Sequence, residues 1–436
     1  MDIMSSTTCQ PLPYAFPLRY PAYPSYRRRV QASTANRDVR MASTDQLLET
    51  LEGISSGSFA NETERIKVRD ALFKALRKTQ TPWDLAWEHS WTNPAVSACI
   101  NTLVQIGVFT KWAEADYQPM TCTAMAKLTG ADAVLLRRMM RCLAGQHLLV
   151  EAARDTYLPT PWAKSFVAEP EFAGIYGGFH DELVNPGCST LPRFLKETGY
   201  VNPTSTDESS FKFWRGENWS FFDLLSQNQQ LASEFSGAMK LHSKYNLAHW
   251  TEVYPTENII AAGRQRSDRK LVVDIGGNKG HDIVRFFDKH EVDCPPGSLV
   301  LQDLPEVLCD VNLRTEAIEL QPYDFFTTQP VKGARVYFMH IIIHDWPDDK
   351  AVQILRNVAA AMEKGYSRLL IQESLMADEK PPASVSVLDI VMMGCFSSAE
   401  RSEAQWNVLL ARAGLTIAKI WRPLEGVEGI IEAKLV

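Results

Sequence analysis

Residues 271–280 read Leu-Val-Val-Asp-Ile-Gly-Gly-Asn-Lys-Gly, and residues 298–303 read Ser-Leu-Val-Leu-Gln-Asp. A strand, a glycine-rich turn, a helix, a second strand and an acid in this order are typical of a nucleotide-type site at the mouth of a parallel sheet. Glycine lets the backbone approach a ligand where a Cβ would collide. The carboxylate of Asp303 can accept hydrogen bonds from ribose hydroxyls. This stretch therefore predicts a cofactor site.

The turn does not follow the G-x-G-x-x-G pattern of dinucleotide sites. Gly276, Gly277 and Gly280 fit instead the pattern D-x-G-G-G-x-G of S-adenosylmethionine sites, with Asn278 in place of the third glycine. Asparagine is the non-glycine residue that best tolerates positive φ, so the turn can form. The alternative is an ordinary tight turn between a strand and a helix.

The composition is that of a globular protein with ample core. The chain has 436 residues, of which 45% are hydrophobic and 22% charged, and this length predicts two or three domains. No apolar run reaches the roughly 18 residues that a membrane span requires, so no membrane partner is expected. The eight cysteines are scattered, without a C-x-x-C pair. They indicate reduced thiols in the cytoplasm rather than a disulfide framework, and no metal site is expected.

The net charge of −7 is unevenly distributed. Residues 1–40 hold six arginines and two aspartates, which leaves −11 on the remainder. An acidic body argues against nucleic acid as a partner. Residues 1–43 are rich in Arg and Pro without periodicity and are predicted to be disordered. Their acid-poor composition faintly resembles a transit peptide, and Met41 is an alternative start.

Residues 44–168 predict a helical domain that contains a winged helix. Two short helices at 121–128 and 133–143 precede a hairpin at 148–158. This unit alone suggests DNA binding, because its second helix carries Arg137, Arg138 and Arg141. The acidic chain and the cofactor turn favour the alternative, a scaffold for dimerisation and substrate binding.

Residues 169–255 predict a second helical region, which is rich in aromatic residues. Core packing accounts for most of them, but their density also suits a pocket for a flat aromatic or polyketide-like ligand. From residue 256 onward, strands alternate with helices and predict a doubly wound α/β sheet. The expected strands are 271–275, 298–302, 334–339, 368–373, 415–421 and 429–434, with helices notably at 349–363 and 402–413.

Charged side chains lie at the ends of several elements. Asp324 follows a short apolar stretch, His344 follows an apolar strand, and Glu373 and Glu400 lie at the ends of later elements. Because carboxyl ends of parallel strands converge on one crevice, one imidazole and two carboxylates are expected to meet there. A histidine with a pKa near about 6.5 suits a base that deprotonates a phenol of pKa about 10. A carboxylate on its far nitrogen fixes the tautomer. A structural histidine and solvated caps are the alternatives for these residues.

Taken together, these motifs resemble the class I S-adenosylmethionine-dependent O-methyltransferases of the plant caffeate type and their fungal secondary-metabolism relatives. The resemblance covers roughly residues 80–436 and includes 388–393. It implies a doubly wound Rossmann-like methyltransferase sheet preceded by a mostly α N-terminal domain with a winged helix. It also implies a homodimer through that domain and a small-molecule substrate.

The resemblance assigns site residues as well. S-adenosylmethionine would be held by Asp274, Gly276, Gly277, Gly280, Asp303, Leu304, Asp324 and Phe325. His344 would be the base, supported by Glu373 and Glu400. The acceptor pocket would include His180, Met239, Asp345, Trp346 and Met392. His340 stands where plant members carry a lysine near the cofactor, so that contact is not transferred.

Three functions are consistent with the sequence. The first is O-methylation of a phenolic or polyketide-like molecule. The second is a pericyclase or dehydratase that keeps the sulfonium as an electrostatic element, with a polar residue from Phe179-His180-Asp181 facing the His-Asp corner. The third is a non-catalytic role in which the winged helix binds DNA or a partner and the cofactor acts as a signal.

Overall fold

The computed structural model describes residues 43–216, 219–245, 249–423 and 426–436. The predicted disordered extension lies outside the described residues except for Ser43. The described residues form two compact units, which divide between Ala71 and Leu72. Among the described helices, none is both long and apolar enough to cross a membrane.

The described part of the first unit holds helix α1 (Thr44–Glu52) and the beginning of α2 (Glu62–Thr79). Helix α1 begins at Thr44 because Ser43 caps it. The Oγ of Ser43 accepts the N–H of Gln46 at 3.2 Å, and the side chain of Gln46 accepts the N–H of Ser43 at 3.1 Å. A short 3₁₀ turn at Ser56–Ser58 lies between these two helices.

The second unit begins with the elements predicted as a winged helix. Its helices and strands are α3 (Pro82–Trp87), α4 (Asn93–Ile106), α5 (Val108–Glu114), β1 (Met120–Thr121), α6 (Cys122–Thr129), α7 (Ala133–Gly145), β2 (Leu149–Ala153), β3 (Thr156–Pro159) and α8 (Pro161–Ala168). The three strands form an antiparallel sheet in the order β1-β3-β2. Arg137 on α7 donates two hydrogen bonds to Asp155, at 2.7 and 2.8 Å. Its guanidinium is therefore engaged by the hairpin.

A mostly helical region follows. It comprises α9 (Glu171–Gly174), a π-helical segment (Ile175–Val184), α10 (Asn185–Glu197), α11 (Ser210–Arg215), α12 (Phe221–Gln227), α13 (Gln229–Tyr245), α14 (Trp250–Val253) and α15 (Glu257–Gly263). Phe211 and Phe221 are buried in a cluster with Leu183 and Leu231. Core packing therefore explains a large part of the aromatic content of this region, as expected.

The C-terminal part is the predicted Rossmann-like sheet with helices between its strands. The strands are β4 (Val272–Ile275), β5 (Leu299–Asp303), β6 (Ile318–Pro322), β7 (Val336–His340), β8 (Arg368–Ser374), β9 (Leu415–Trp421) and β10 (Glu428–Leu435), and the helices are α16 (His281–His290), α17 (Pro305–Leu308), α18 (Asp348–Ala359), α19 (Ala383–Phe396) and α20 (Glu403–Arg412). The sheet order is β6-β5-β4-β7-β8-β10-β9, and β10 runs antiparallel to both neighbours. The other strands are parallel. Their continuous apolar runs follow from burial on both faces.

The strand β6 was absent from the sequence prediction. It lies at the edge of the sheet, and only Ile318 is buried along it. An edge strand with one buried side chain lacks the apolar run that marked its neighbours.

Candidate active site

The glycine-rich turn between β4 and α16 has a backbone conformation that depends on its glycines. Gly276 and Gly280 have left-handed backbone, with φ of +69° and +81°. A Cβ on Gly276 would lie only 2.7 Å from Cδ1 of Ile342. Asn278 has φ +51°. Asparagine therefore adopts the conformation that the sequence required of it, and Ile342 leaves no space for a side chain at Gly276.

Asp303 ends β5 beside this turn, with its carboxylate fixed by backbone groups. Its Oδ2 accepts the N–H of Asn278 at 2.8 Å, and its Oδ1 accepts the N–H of Leu304 at 2.7 Å. Burial raises the pKa of Asp303 in spite of these two bonds. The structure thus brings Asp303 to the turn, as predicted.

Two buried oxygen atoms at the turn lack hydrogen-bond partners within the described residues. They are Oδ2 of Asp274 and Oδ1 of Asn278. Burial, with the charge of Asp282 adding to it, raises the pKa of Asp274 well above its ordinary value. Because a buried polar atom without a partner is costly, these oxygens fit a polar ligand seated at the turn.

Asp324 and Phe325 follow the carboxyl end of β6, on the side of the sheet where the glycine-rich turn lies. A Cβ on Gly276 would lie 3.9 Å from Cε1 of Phe325, so this ring borders the turn. One oxygen of Asp324 accepts the N–H of Phe326 at 2.9 Å. The acid therefore caps its own turn, and its role towards a cofactor remains a prediction.

His344 lies in a 3₁₀ turn after β7 and is buried. Its Nδ1 lies 2.7 Å from Oε1 of Glu400, and its Nε2 lies 3.5 Å from Oδ1 of Asp345. A carboxylate at Nδ1 favours the tautomer in which that nitrogen carries the proton. The lone pair of a neutral ring would then be at Nε2, where a base needs it.

Glu373 supports the same turn through the backbone. Its Oε1 accepts the N–H of Ile343 at 2.7 Å and the N–H of His344 at 3.1 Å. The imidazole and the two carboxylates meet as predicted, but only Glu400 hydrogen-bonds the ring. Glu373 fixes the segment that carries the ring.

The imidazole shares its buried surroundings with three carboxyl groups. Burial favours the neutral ring, but Asp345, Glu400 and Glu373 outweigh it and raise the pKa of His344 to about 10. Burial raises the pKa of Glu373 to about 7 and that of Asp345 to about 6. At neutral pH the ring is therefore protonated until a nearby positive charge lowers its pKa.

Two further residues hold this corner, and the sequence did not predict their contribution. Arg401 donates to the carbonyl oxygens of Ile343 at 3.1 Å and Trp346 at 2.7 Å. Asp389 accepts the N–H of Glu400 at 2.9 Å. The available signal was charge in an apolar setting, because Asp389 is the charged residue of the otherwise uncharged helix α19.

An aromatic wall stands beside the corner. Trp346 stacks on Phe222 of α12, with ring centroids 5.5 Å apart and planes at 15°. It also meets Phe326 edge-on at 4.7 Å. Phe222 in turn stacks on Phe396 of α19 at 5.6 Å. These rings bring the helical region next to the segment of His344.

The remaining pocket residues are spread over three elements. Met392 is buried on α19 and Met239 is half-buried on α13. His180 lies on the π-helical segment, and its Nδ1 is 2.7 Å from Oδ1 of Asp181. Within the described residues, no hydrogen bond joins His180 to the corner of His344. Their roles in an acceptor pocket remain predictions.

His340 is held between two carboxylates. Its Nδ1 lies 2.7 Å from Oδ2 of Asp282, and its Nε2 lies 2.8 Å from Oε2 of Glu428. Because Asp274 pairs with Phe338, the strand register places His340 level with Gly276. Both ring nitrogens are occupied, so this histidine does not substitute directly for the lysine of plant members.

The fold and this site define a methyltransferase, and comparison with known proteins agrees. Residues 89–169 match the family model of the O-methyltransferase dimerisation domain, and residues 218–416 match that of the O-methyltransferase domain. The chain is an enzyme that belongs to the O-methyltransferase family.

Its relatives are fungal. The chain is 33% identical over 406 residues to O-methyltransferase mfmE of Annulohypoxylon moriforme, which covers 93% of this chain and 99% of the relative. It is 33% identical over 353 residues to O-methyltransferase asqD of Emericella nidulans, which covers 79% and 87%.

Two solved structures share the fold over most of the chain. An enzyme described as a pericyclic reaction enzyme superposes with a TM-score of 0.81 at 25% identity, over 90% of this chain and 99% of its own. OxaC in complex with sinefungin and meleagrin superposes with a TM-score of 0.76 at 25% identity, over 90% and 98%.

Proposed function

We propose that this enzyme transfers a methyl group from S-adenosylmethionine to a hydroxyl of a phenolic or polyketide-like small molecule, with His344 as the general base. The observation that carries the proposal is the buried contact of 2.7 Å between Nδ1 of His344 and Glu400. This contact lies at the carboxyl ends of the parallel strands, where the glycine-rich turn also lies.

The residues at the turn fit the cofactor. Gly276 would let the backbone of the turn approach the cofactor closely. Asp303 would accept hydrogen bonds from the ribose, and Phe325 would cover the adenine. Asp274, Gly277, Gly280, Leu304 and Asp324 complete the proposed set. S-adenosylmethionine supplies an electrophilic methyl group on a positively charged sulfonium.

The base works through a change of charge. A cation docked in front of His344 disfavours the imidazolium and lowers its pKa. The neutral ring then accepts the acceptor's hydroxyl proton at Nε2 as the oxygen attacks. Glu400 stabilises the imidazolium that forms. Glu373 and Arg401 keep the ring in place through the backbone, so little reorganisation is needed.

The acceptor would lie between the aromatic wall and the base. Trp346 and Met392 offer flat, apolar contact, and Met239, His180 and Asp345 complete the proposed pocket. Such a wall excludes water, which strengthens the electrostatic effects at the corner. We further propose a cytoplasmic homodimer that forms through residues 89–169. We expect nucleic acid to have no part in this function, because the chain is acidic and Arg137 is paired with Asp155 within its own domain.

The experiment is turnover with methyl-labelled S-adenosylmethionine and an extract of the source organism, read by mass spectrometry. A labelled product would identify reaction and acceptor together. The His344→Ala variant should lower the rate of labelling by about 10²–10⁴-fold while the dissociation constant of the cofactor stays within about twofold. Unchanged labelling by this variant would refute the base.

A second candidate is a pericyclic or dehydration reaction without methyl transfer. The likeness to the pericyclic reaction enzyme favours it. The cofactor's charge would then act electrostatically, and His180, paired with Asp181, would supply a polar contact. The two candidates differ in stoichiometry. Methyl transfer yields one S-adenosylhomocysteine for each product, and the second candidate yields none.

A further inference from the structure

A second cluster of imidazole and carboxylate groups lies where α13, β7 and β10 meet. Nε2 of His242 is 2.6 Å from Oε1 of Glu428, and Nε2 of His340 is 2.8 Å from Oε2 of the same carboxylate. The potential ligand atoms of the three residues all lie within 4.8 Å of one another. Three separate elements therefore aim metal-ligating atoms at one point.

We propose that His242, His340 and Glu428 form a binding site for a divalent ion of the zinc class, with water as the fourth ligand. Two histidines and one glutamate are a donor set that Zn²⁺ accepts with an open fourth position. The ion would take the place of the protons that the imidazoles and the carboxylate now share. It has no part in the methyl transfer proposed above.

The groups around the cluster orient the ligands as metal sites require. Oδ2 of Asp282 lies 2.7 Å from Nδ1 of His340, and Gln372 donates to Oε2 of Glu428 at 2.8 Å. A carboxylate on the far nitrogen of a ligating histidine fixes the ring and its tautomer. Arg285 holds Asp282 in turn, at 2.9 Å.

The three ligands differ in exposure. The side chain of His242 is 37% exposed, whereas those of His340 and Glu428 are 9% and 3% exposed. The ion would therefore reach a shielded site past His242. Once bound, it would link α13 to the sheet and stabilise the folded chain by mass action.

This site was not predictable from the sequence. The ligands come from three distant segments, and none of them lies within a short metal-binding motif. Only the register of β7 and the position of β10 bring His340 and Glu428 together.

Titration of the full-length protein with Co²⁺ and Zn²⁺ tests the proposal. The exposed Cys309 is first replaced by Ser to remove a competing soft ligand. We expect one equivalent of Co²⁺ with the visible absorption of tetrahedral coordination by nitrogen and oxygen, and a higher melting temperature with Zn²⁺. Absence of uptake, or binding without these changes, would leave the cluster as a hydrogen-bonded network only and overturn the proposal.

Variants locate the ion. His242→Ala should weaken metal binding by about 100-fold or more. Removal of a group that only hydrogen-bonds a metal ligand already lowers the affinity by about 10–100-fold. Its half-exposed position makes loss of folding a small risk, and His242→Gln provides a second test. His180→Ala is the matched control, because this histidine is also exposed and beside a carboxylate.

Among the described residues, the corner of His344, Glu373 and Glu400 is a second group of three possible ligands. His344→Ala should therefore leave the affinity for Co²⁺ unchanged. Loss of binding in this variant, or retained binding in His242→Ala, would refute the proposed site. Because the readout is binding, its failure would leave the proposed methyl transfer untouched.

Discussion

The charge of one buried ring is the central problem at the residue scale. His344 serves as a base only when neutral, yet the surrounding carboxyl groups raise its pKa to about 10. The value of kcat/KM for S-adenosylmethionine reports the enzyme before the cofactor binds. It should therefore rise with pH towards that pKa. With the cofactor bound, the positive sulfonium should shift the rise of kcat to lower pH.

The Glu400→Gln variant tests this account. It removes one of the charges that raise the pKa of His344, so the ascending limb of the pH profile should move to lower pH. Because the amide also stabilises the imidazolium poorly, kcat should fall by about 100-fold or more. The exposed Glu379 offers a control, since Glu379→Gln should leave the profile unchanged. A profile of Glu400→Gln that coincides with that of the wild type would contradict the assignment.

Part of this corner was predictable from residue types alone. A histidine and a glutamate after two strands, and a second glutamate between two later helices, predicted that His344, Glu373 and Glu400 would meet. Which carboxylate bonds the ring depends on the direction of each side chain, and strand order does not contain that information. Arg401 was equally hidden, because its partners are backbone carbonyls without a sequence signature.

At the scale of the element, the turn between β4 and α16 tolerates some changes and not others. Gly276→Ala should cost about 1–2 kcal/mol for the left-handed backbone alone, and its Cβ would press on Ile342. We expect loss of cofactor binding by isothermal titration calorimetry. Asn278→Gly should keep the conformation of the turn, because the backbone N–H to Asp303 is retained, and it should lose only the contribution of Oδ1 to cofactor binding. Equal binding by both variants would refute this account of the turn.

The segment after β7 depends on Arg401. Its guanidinium is almost fully buried and bonds the carbonyls of Ile343 and Trp346. Arg401→Ala leaves both carbonyl oxygens without this donor, and each unpaired carbonyl costs about 1–3 kcal/mol. The free energy of unfolding should therefore fall by about 2–5 kcal/mol. Urea denaturation measures this loss. Arg412 is partly exposed and pairs with Asp349. Arg412→Ala should therefore lower the free energy of unfolding by less than about 1 kcal/mol. Similar losses in both variants would argue against the clamp.

Elements with strong periodicity were predictable, and weakly buried ones were not. The strands β4, β5, β7 and β8 carry continuous apolar runs, which predicted them to within one or two residues. The edge strand β6 lacks such a run. The segment at Ile175–Val184, which is kinked at Gly177 and packs against α13, also has no sequence pattern of its own.

At the scale of the whole molecule, the predicted domain bounds at 44–168, 169–255 and 256–436 remain a prediction. Residues 72–436 form one compact unit, in which helix α13 packs on both α9 and α16. The helical region and the sheet therefore share contacts, and a boundary between them is not visible as a break in the chain. In the sequence, the helical region was distinguished by its aromatic content and the sheet region by its strand pattern.

A stripe of exposed tryptophans points to how two copies associate. Trp83, Trp87 and Trp91 follow one another at helical spacing, and each is at least half exposed. Trp87 and Trp91 stack with centroids 5.0 Å apart, and Trp83 adjoins both. The stripe runs into the segment that matches the dimerisation domain, which begins at residue 89. An apolar surface of this kind marks an interface, so we expect it to be buried in the homodimer.

Substitution of the middle ring should break that dimer. Trp87→Glu places a charge in an interface that would be desolvated, which costs several kcal/mol when the charge is unpaired. Size-exclusion chromatography with light scattering should show the molar mass of the wild-type dimer fall by half. Tyr200→Glu is the matched control, because Tyr200 is an exposed aromatic residue outside the dimerisation domain and should leave the dimer intact. If the Trp87→Glu protein stays dimeric at micromolar concentration, the stripe lies outside the interface, and the interface proposed for residues 89–169 does not extend to Trp87.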